Sequence, residues 1–183
     1  MVVRELWLEL KESQFEPKEF EVNFGAVDGL PPIAIPNHEM NAILRGFIDR
    51  VDTWKSGGSN YYRVVDYKTG RKDFDYCDVF NGVGLQMLLY MFALKHSGAN
   101  IVGTRAAAAG VQYFPARAPY ITSDGKLEKA DADKARQTQW KRRGLLLEDE
   151  TVLQAMEPGD QYKRLCCTVR KDGSLSGDPV VYQ

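Results

Sequence analysis

The sequence predicts an α/β fold with a small mixed central sheet flanked by helices, and three features carry this prediction. Two β-branched and aromatic runs, Ala42–Val51 and Tyr61–Lys68, stand on either side of the turn-forming run 56–60, SGGSN. A dense apolar run, Val83–Lys95, follows, and a third strand is expected within residues 104–114. The order strand, strand, helix, strand is typical of a sheet covered by a helix.

The first two strands are predicted to form a β-hairpin or meander. Val, Ile, Phe and Tyr favour extended backbone, and the two glycines between the strands favour a tight turn. Alternate residues of a strand share a face, so Asp49 is expected on the face of Phe47 and Val51.

The run Val83–Lys95 is predicted to be a largely buried helix, because it is rich in Leu, Met and Ala and too apolar for an exposed one. Alanines in residues 104–114 are compatible with helix, but the ending GVQYF and the following Pro115 favour a strand packed closely on that helix.

The N-terminal segments are predicted with less detail. A short helix carrying Leu6, Glu9 and Leu10 is one interpretation of the first twenty residues. Glycines and prolines in residues 25–38 predict a loop around a short extended piece.

The C-terminal segments are expected at the periphery. Lys126–Arg143 is charged and polar, which favours a solvated helix or a mobile segment. A further short helix is predicted for Glu148–Met156, and an edge hairpin around Lys171-Asp172-Gly173.

Composition sets outer bounds on function. The 183 residues are 44% hydrophobic and 27% charged, as expected for one domain with a real core. The net charge of −1 argues against nucleic-acid binding through bulk positive charge, but a local groove or metal site remains compatible. No signal peptide is evident, the longest apolar stretch is too short for a bilayer, and three cysteines show no disulfide or zinc pattern. A cytoplasmic protein that does not bind membranes is expected.

The sharpest chemical feature is Asp66-Tyr67-Lys68, at the end of the second predicted strand. Residues two apart share a face, so Asp66 and Lys68 point to one side and Tyr67 to the other. This pairing suits phosphodiester cleavage: the carboxylate holds a divalent metal ion, and the lysine orients or helps deprotonate the attacking water and offsets transition-state charge.

A second carboxylate, Asp49, lies 17 residues earlier on the adjacent predicted strand. The turn allows Asp49 and Asp66 to face each other, and two close carboxylates repel unless a cation lies between them. Oxygen ligands with open positions suit Mg²⁺ or Mn²⁺. The alternative is two structural ion pairs, Asp49 with Arg50 or Arg45 and Asp66 with Lys68, since a lone D-x-K motif is common.

Five runs together resemble the nuclease domain of the RecB/AddB branch of the PD-(D/E)xK superfamily, especially the C-terminal domain of AddB-type subunits. The resemblance covers about residues 19–157. The runs are GFIDRVD (46–52), YYRVVDYKTG (61–70), GVGLQMLLYMFAL (82–94), QYFPAR (112–117) and WKRRGLLLEDETVLQAME (140–157).

This resemblance implies a restriction-endonuclease-like core and assigns roles to the β-hairpin. Asp49 and Asp66 match the metal-binding carboxylates, and Lys68 matches the catalytic lysine. Tyr67 fills the position whose backbone carbonyl can also ligate the metal.

Three further residues receive roles from the same resemblance. Gln86 and Tyr90 match a Q-x-x-x-Y helix motif, whose spacing puts both on one helix face, where they support catalysis or contact DNA. Core packing with one satisfied hydrogen bond is the alternative for this pair. Glu21 resembles an upstream acidic position that supports the metal site, and a plain surface glutamate is its alternative.

The chain also departs from the family pattern. The upstream helical histidine of RecB-type domains has no match, since His38 lies in a predicted loop and His96 near a helix end. Cys77, Cys166 and Cys167 do not reproduce the four cysteines that hold an iron–sulfur cluster in AddB-type domains. No such cluster is therefore expected in this chain.

The resemblance thus implies a Mg²⁺-dependent exodeoxyribonuclease acting on single-stranded DNA in double-strand-break repair and recombination. Residues 1–183 are expected to be a single nuclease domain, a fragment of a larger subunit that works with an AddA-type helicase–nuclease subunit. Two alternatives are a nuclease-fold module that binds DNA or a partner with little catalysis, and a stand-alone exonuclease of phage type.

Overall fold

The structure is a computed structural model, and it describes residues 1–35, 42–123, 125–177 and 181–182. Its elements, in chain order, are α1 (Val2–Glu12), β1 (Glu16–Phe24), β2 (Ile33–Ile35), β3 (Ala42–Leu44), β4 (Gly46–Ser56), β5 (Ser59–Lys68), α2 (Tyr76–Phe80), α3 (Gln86–Ser97), α4 (Ala99–Val102), β6 (Ala107–Pro115), α5 (Lys129–Gln139), β7 (Arg143–Leu147), α6 (Glu150–Met156), β8 (Cys167–Val169), β9 (Leu175–Gly177) and β10 (Val181–Tyr182).

The predicted mixed sheet with flanking helices is confirmed. Within the described ranges the largest sheet has six strands in the order β1-β4-β5-β6-β7-β10. It is mixed because β4 runs antiparallel to β1 and β5, whereas β10 runs parallel to β7. None of the helices in the described part of the chain has the length and apolar character that crossing a membrane requires.

The chain divides into two compact units. The first unit comprises Met1–Gln14, Tyr67–Asp75 and Gln112–Gln183, and the second comprises Phe15–Asp66 and Tyr76–Val111. Strand β5 contributes residues to both, since its last two residues belong to the first unit.

The second unit is built on the antiparallel strands β1, β4 and β5. The β4–β5 turn contains Gly57 and Gly58, whose φ angles of 58° and 82° favour glycine, because a side chain there would be strained. Helix α3 covers one face of the hairpin, where the Tyr62 hydroxyl donates to the Met91 carbonyl at 3.2 Å. The fully buried apolar side chains of this core include Ile48, Val51, Val64, Met87 and Leu94.

The first unit buries an ion pair between α1 and the start of β7. Arg142 Nε donates to Glu9 Oε2 at 2.8 Å, and the guanidinium lies 4.2 Å from the centre of the Phe114 ring. Helix α6 begins after Asp149, whose carboxylate accepts hydrogen bonds from two backbone N–H groups of the first turn. Such a cap stabilises a helix by about 1 kcal/mol.

One predicted strand is wrong in its extent. Residues 42–51 do not form one strand, because the chain changes pairing partner at Arg45: β3 pairs with β2, and β4 pairs with β1. Gly46 lies opposite Phe24, and a Cβ atom at Gly46 would come within 2.7 Å of the Phe24 ring. The close approach of this ring therefore requires glycine where β4 begins.

Most other predicted elements are confirmed, including the β4–β5 hairpin, helices α1, α3, α5 and α6, strand β6 and the β8–β9 hairpin. His96 lies in the last turn of α3, as expected. The predicted loop is confirmed over residues 25–35, around β2, while its part from residue 36 to His38 lies outside the described residues.

Candidate active site

The two predicted metal-binding aspartates lie on neighbouring antiparallel strands. The β4–β5 register pairs Val51 with Val64 and ends at Arg50 with Val65. Continued by one step, the same alternation sets Asp49 opposite Asp66. Directly opposite residues of an antiparallel pair have their side chains on the same face. Asp66 is 2% exposed and Asp49 is half-buried, so this face holds two carboxylates with little water around one of them.

Helix α3 presents Tyr90 and Gln86 to this pair. Gln86 Nε2 donates to the Tyr90 hydroxyl at 2.6 Å, as the i, i+4 spacing allows. Tyr90 is buried, and burial, followed by the charges of Asp66 and Asp49, raises its pKa to about 12 against the opposing effect of the Gln86 hydrogen bond. Both aspartates are therefore near the phenol, and Tyr90 stays protonated at neutral pH.

A titration follows from this environment. Folding raises the pKa of Tyr90, so the folded protein holds the phenolic proton more tightly than the unfolded chain does. The resulting stabilisation is complete below pH 10, the ordinary pKa, and is lost as the pH rises toward about 12. In an alkaline titration, the tyrosinate absorbance of wild type should exceed that of Tyr90→Phe only near pH 12. If this difference in absorbance appears near pH 10 instead, the phenol of Tyr90 is not buried as described.

The opposite face of the hairpin carries a separate buried ion cluster. Asp52 accepts from Arg50 Nη2 at 3.0 Å and from Arg63 Nε at 2.8 Å, and all three side chains are nearly or fully buried. Strand alternation places Asp49 and Arg50 on opposite faces of the hairpin, and the Arg50 guanidinium bonds to Asp52, which disfavours the alternative pairing of Asp49 with Arg50.

Glu21 occupies an unusual place beside Asp49. Its neighbours in β1, Phe20 and Val22, pair with Arg50 and Ile48 of β4. Glu21 therefore lies level with Asp49, although these two residues are not themselves a pair in the β1–β4 register. Its φ of 51° is in the left-handed region, which costs a non-glycine residue about 1–3 kcal/mol.

The side chain of Glu21 is exposed. Throughout the described ranges, no three His, Cys, Asp or Glu side chains are grouped closely enough to hold a metal ion. Glu21 is thus not brought into a three-carboxylate group with Asp49 and Asp66, and its supporting role stays a prediction.

In the first unit, Tyr67 and Lys68 end β5. The Tyr67 ring packs edge-on against Phe114, with ring centroids 5.2 Å apart. The Lys68 carbonyl accepts a hydrogen bond from the Ala116 N–H at 2.8 Å, which fixes the backbone next to the side chain. Lys68 is half-buried and lines a cleft of about 510 Å³.

This cleft was not predicted from the sequence. It is lined by six basic residues and by no acidic residue: Lys68, Arg71, Lys72, Arg117, Lys141 and Arg143. The signal that could have indicated it is the local density of Lys and Arg in residues 68–72 and 141–143. The net charge of −1 conceals this concentration.

Comparison with known proteins decides the family. The sequence profile described as the PD-(D/E)XK nuclease superfamily matches residues 1–167, most of the chain. The chain belongs to the PD-(D/E)XK nuclease superfamily. The restriction-endonuclease-like fold inferred from the resemblance is thereby confirmed.

Individual relatives place the chain within this superfamily. It is 38% identical over 181 residues to the B-type subunit of an ATP-dependent helicase/deoxyribonuclease from Acetivibrio thermocellus, a match covering 96% of this chain and 16% of the relative. The equally named proteins from Clostridium kluyveri (30% identity, 96% of this chain and 16% of the relative) and Moorella thermoacetica (34%, 93% and 15%) are also similar. The chain spans about one sixth of these curated relatives. The predicted likeness to AddB-type proteins is confirmed.

PD-(D/E)XK nucleases generally use divalent metal ions, and the donor set of this chain fits one. The carboxylate oxygens of Asp49 and Asp66 are of the kind that such ions take as ligands, and two carboxylates that face each other favour a cation between them. Both carboxylates also contribute to the raised pKa of Tyr90, after the larger effect of its burial.

Proposed function

We propose that this chain is a Mg²⁺-dependent nuclease domain that hydrolyses phosphodiester bonds of DNA. The observation that carries the proposal is the placement of Asp49 opposite Asp66 on the face that α3 covers with Tyr90 and Gln86. Lys68 follows Asp66 by two residues on the same strand, where side chains share a face. Mn²⁺ is the alternative ion, because it accepts the same oxygen ligands.

Each residue of the proposed site has a distinct task. Asp49 and Asp66 would hold the metal ion, with the Tyr67 carbonyl as a third oxygen. A bound divalent ion would polarise the phosphate and lower the pKa of water. Lys68 orients the attacking water and offsets charge on the pentavalent transition state. The water oxygen forms a bond to phosphorus as the proton of the water passes to solvent. The bond to the leaving sugar oxygen breaks, and that oxygen takes up a proton from solvent.

Gln86 and Tyr90 are proposed as supporting residues. The Gln86 amide fixes the Tyr90 hydroxyl, and the protonated phenol adds no negative charge beside the carboxylates. Gln86 is exposed at the start of α3, where its side chain would contact DNA.

The biological setting is proposed from the names of the relatives. They are helicase/deoxyribonuclease subunits, and we propose that residues 1–183 are one nuclease domain, with its core at about 19–157, of a protein of this kind. It would act as an exonuclease on single-stranded DNA during double-strand-break repair and recombination, in the bacterial cytoplasm beside an AddA-type partner. The superfamily match extends over parts of both units, which supports one functional domain.

Removing divalent ions is expected to abolish cleavage. The chain, incubated with an end-labelled single-stranded oligonucleotide and Mg²⁺, should shorten the substrate, and excess EDTA should stop this completely. Added Mg²⁺ or Mn²⁺ should restore cleavage, while circular dichroism stays unchanged because the core is held by apolar packing. Cleavage that persists in EDTA would rule out the metal mechanism. DNA binding without cleavage at any metal concentration would favour the binding-module alternative.

A further inference from the structure

The basic cleft of the first unit is chemically suited to phosphate groups. Six basic residues line a volume of about 510 Å³, within the ~300–1,000 Å³ range of typical ligand sites. The neighbouring carboxylate, Asp73, bonds to Arg71 at 3.1 Å and to Arg143 at 2.9 Å. One negative charge therefore positions two arginines but offsets only part of the positive charge.

Two of the cations are available for an external anion. Lys141 Nζ donates to the Leu165 carbonyl at 3.1 Å, so this ammonium is already engaged with the protein. Lys72 and Arg117, in contrast, are exposed, and neither takes part in an ion pair with any residue that the structure describes. An anion bound there would gain charge-assisted hydrogen bonds without breaking an internal one.

The cleft also exposes an aromatic ring at its rim. Tyr120 is 79% exposed, although burial of tyrosine is favourable. Its backbone carbonyl accepts from Gln139 Nε2 at 3.0 Å, which ties the loop to α5 and fixes the backbone from which the ring projects. An exposed ring beside a cationic groove is the arrangement that stacks unpaired bases in single-stranded nucleic-acid sites.

We propose that this cleft binds the single-stranded DNA that flanks the scissile phosphate, with phosphates on Lys72 and Arg117 and a base stacked on Tyr120. Because Lys68 lines the same cleft, the strand bound there leads directly to the proposed catalytic lysine. The inference rests on the proposed nuclease function and adds the surface along which the substrate strand is bound. Duplex DNA fits less well, because its bases are already paired and stacked.

The phosphate contacts are tested by two charge-matched double variants. Lys72→Ala/Arg117→Ala and Arg170→Ala/Lys171→Ala each remove one lysine and one arginine from exposed positions, the second pair from the β8–β9 turn. Binding of a fluorescein-labelled oligothymidine is measured by anisotropy in EDTA at several salt concentrations.

The cleft variant should bind at least about tenfold more weakly. Its plot of log affinity against log salt should be shallower by about 1.4, or about 0.7 for each lost phosphate contact. The turn variant should keep the wild-type slope. Equal slopes for the two variants, or no binding by wild type at low salt, would overturn the inference.

The stacking contact has its own test. Tyr120→Ala should weaken oligothymidine binding by about tenfold, Tyr120→Phe should retain it, and neither should change binding of the same sequence as a duplex. Equal losses on single strand and duplex would overturn the assignment of the ring to a base. If wild type cuts DNA and the cleft variants bind and cut DNA equally well, only the inference about the cleft is overturned. A chain that binds through the cleft but never cuts overturns the nuclease proposal instead.

Discussion

Replacing Asp66 by asparagine is expected to remove metal binding and DNA cleavage together. The substitution keeps the shape of a side chain that is 2% exposed, so the fold is retained, but it removes one of the two opposed carboxylates. A neutral amide oxygen is a poorer ligand for a hard divalent cation than a carboxylate. Cleavage should fall on the order of a thousandfold, because the charge stabilisation of the transition state is lost with the ion.

Lys68→Ala is the informative counterpart of this variant. An ammonium is no ligand for Mg²⁺, so its removal should leave metal affinity intact or slightly higher, since less positive charge remains near the cation. Cleavage should nevertheless fall at least about a hundredfold, because water orientation and transition-state charge are affected. Lys55→Ala, a matched loss of an exposed strand lysine at the far end of β4, should change neither quantity.

Mn²⁺ titration by calorimetry, run beside the cleavage assay, separates these expectations. Metal binding that disappears equally in Asp66→Asn and Lys68→Ala would show that the lysine is misassigned. Retained cleavage in Lys68→Ala would show the same. If both variants lose only modest stability and the wild type cuts no DNA, the two residues form a structural ion pair instead.

The sequence predicted the hairpin of the site well because local chemistry determines it. Alternating apolar residues and a Gly-Gly turn specify the strand pairing, and the pairing then determines which residues share a face. Continuing that pairing by one step sets Asp49 opposite Asp66. The spacing of Gln86 and Tyr90 likewise placed both on one side of α3, where the structure shows their hydrogen bond.

The sequence did not predict strands β1 and β7, because β1 is too exposed to show a strand pattern and β7 is too short and apolar. β1 is an edge strand with only Val22 and Phe24 buried, and Pro17 within it argues against a strand from sequence alone. β7 has the run Leu145–Leu147, and leucine is a strong helix former, so a short apolar segment of this kind does not reveal its structure by periodicity. In both cases, packing against the rest of the fold determines that the segment is a strand.

The basic cleft could not be predicted because its residues come from distant parts of the chain. Lys72 and Arg117 are 45 positions apart, and only the folded first unit brings them to one cavity. Charge density along the sequence does not say which basic residues are exposed. In the run Lys141–Arg143, the middle arginine is buried against Glu9, whereas the outer two line the cleft.

Asp52→Asn is expected to destabilise the protein by about 3–5 kcal/mol, although Asp52 lies three residues from Asp49 and on the face away from the proposed metal site. Its carboxylate lies between the guanidinium groups of Arg50 and Arg63, at 2.8 Å from the Nε atom of each, and the three side chains are at most 1% exposed. Removing the negative charge leaves two buried cations close together without the anion that offsets them.

Asp49→Asn makes the same chemical change on the same strand and should have a much smaller or opposite effect. Without metal, Asp49 faces Asp66, and removing one of two opposed negative charges relieves their repulsion. Stability in EDTA should therefore change by less than about 1 kcal/mol or rise. Urea unfolding, followed by tryptophan fluorescence and circular dichroism, measures both variants. Equal losses would mean that Asp49 is a structural ion-pair partner like Asp52. If Asp52→Asn lowers the free energy of unfolding and Asp49→Asn raises it, the two faces of the hairpin differ in role. The carboxylate of Asp52 then stabilises the fold, whereas Asp49 and Asp66 repel each other until a cation binds between them.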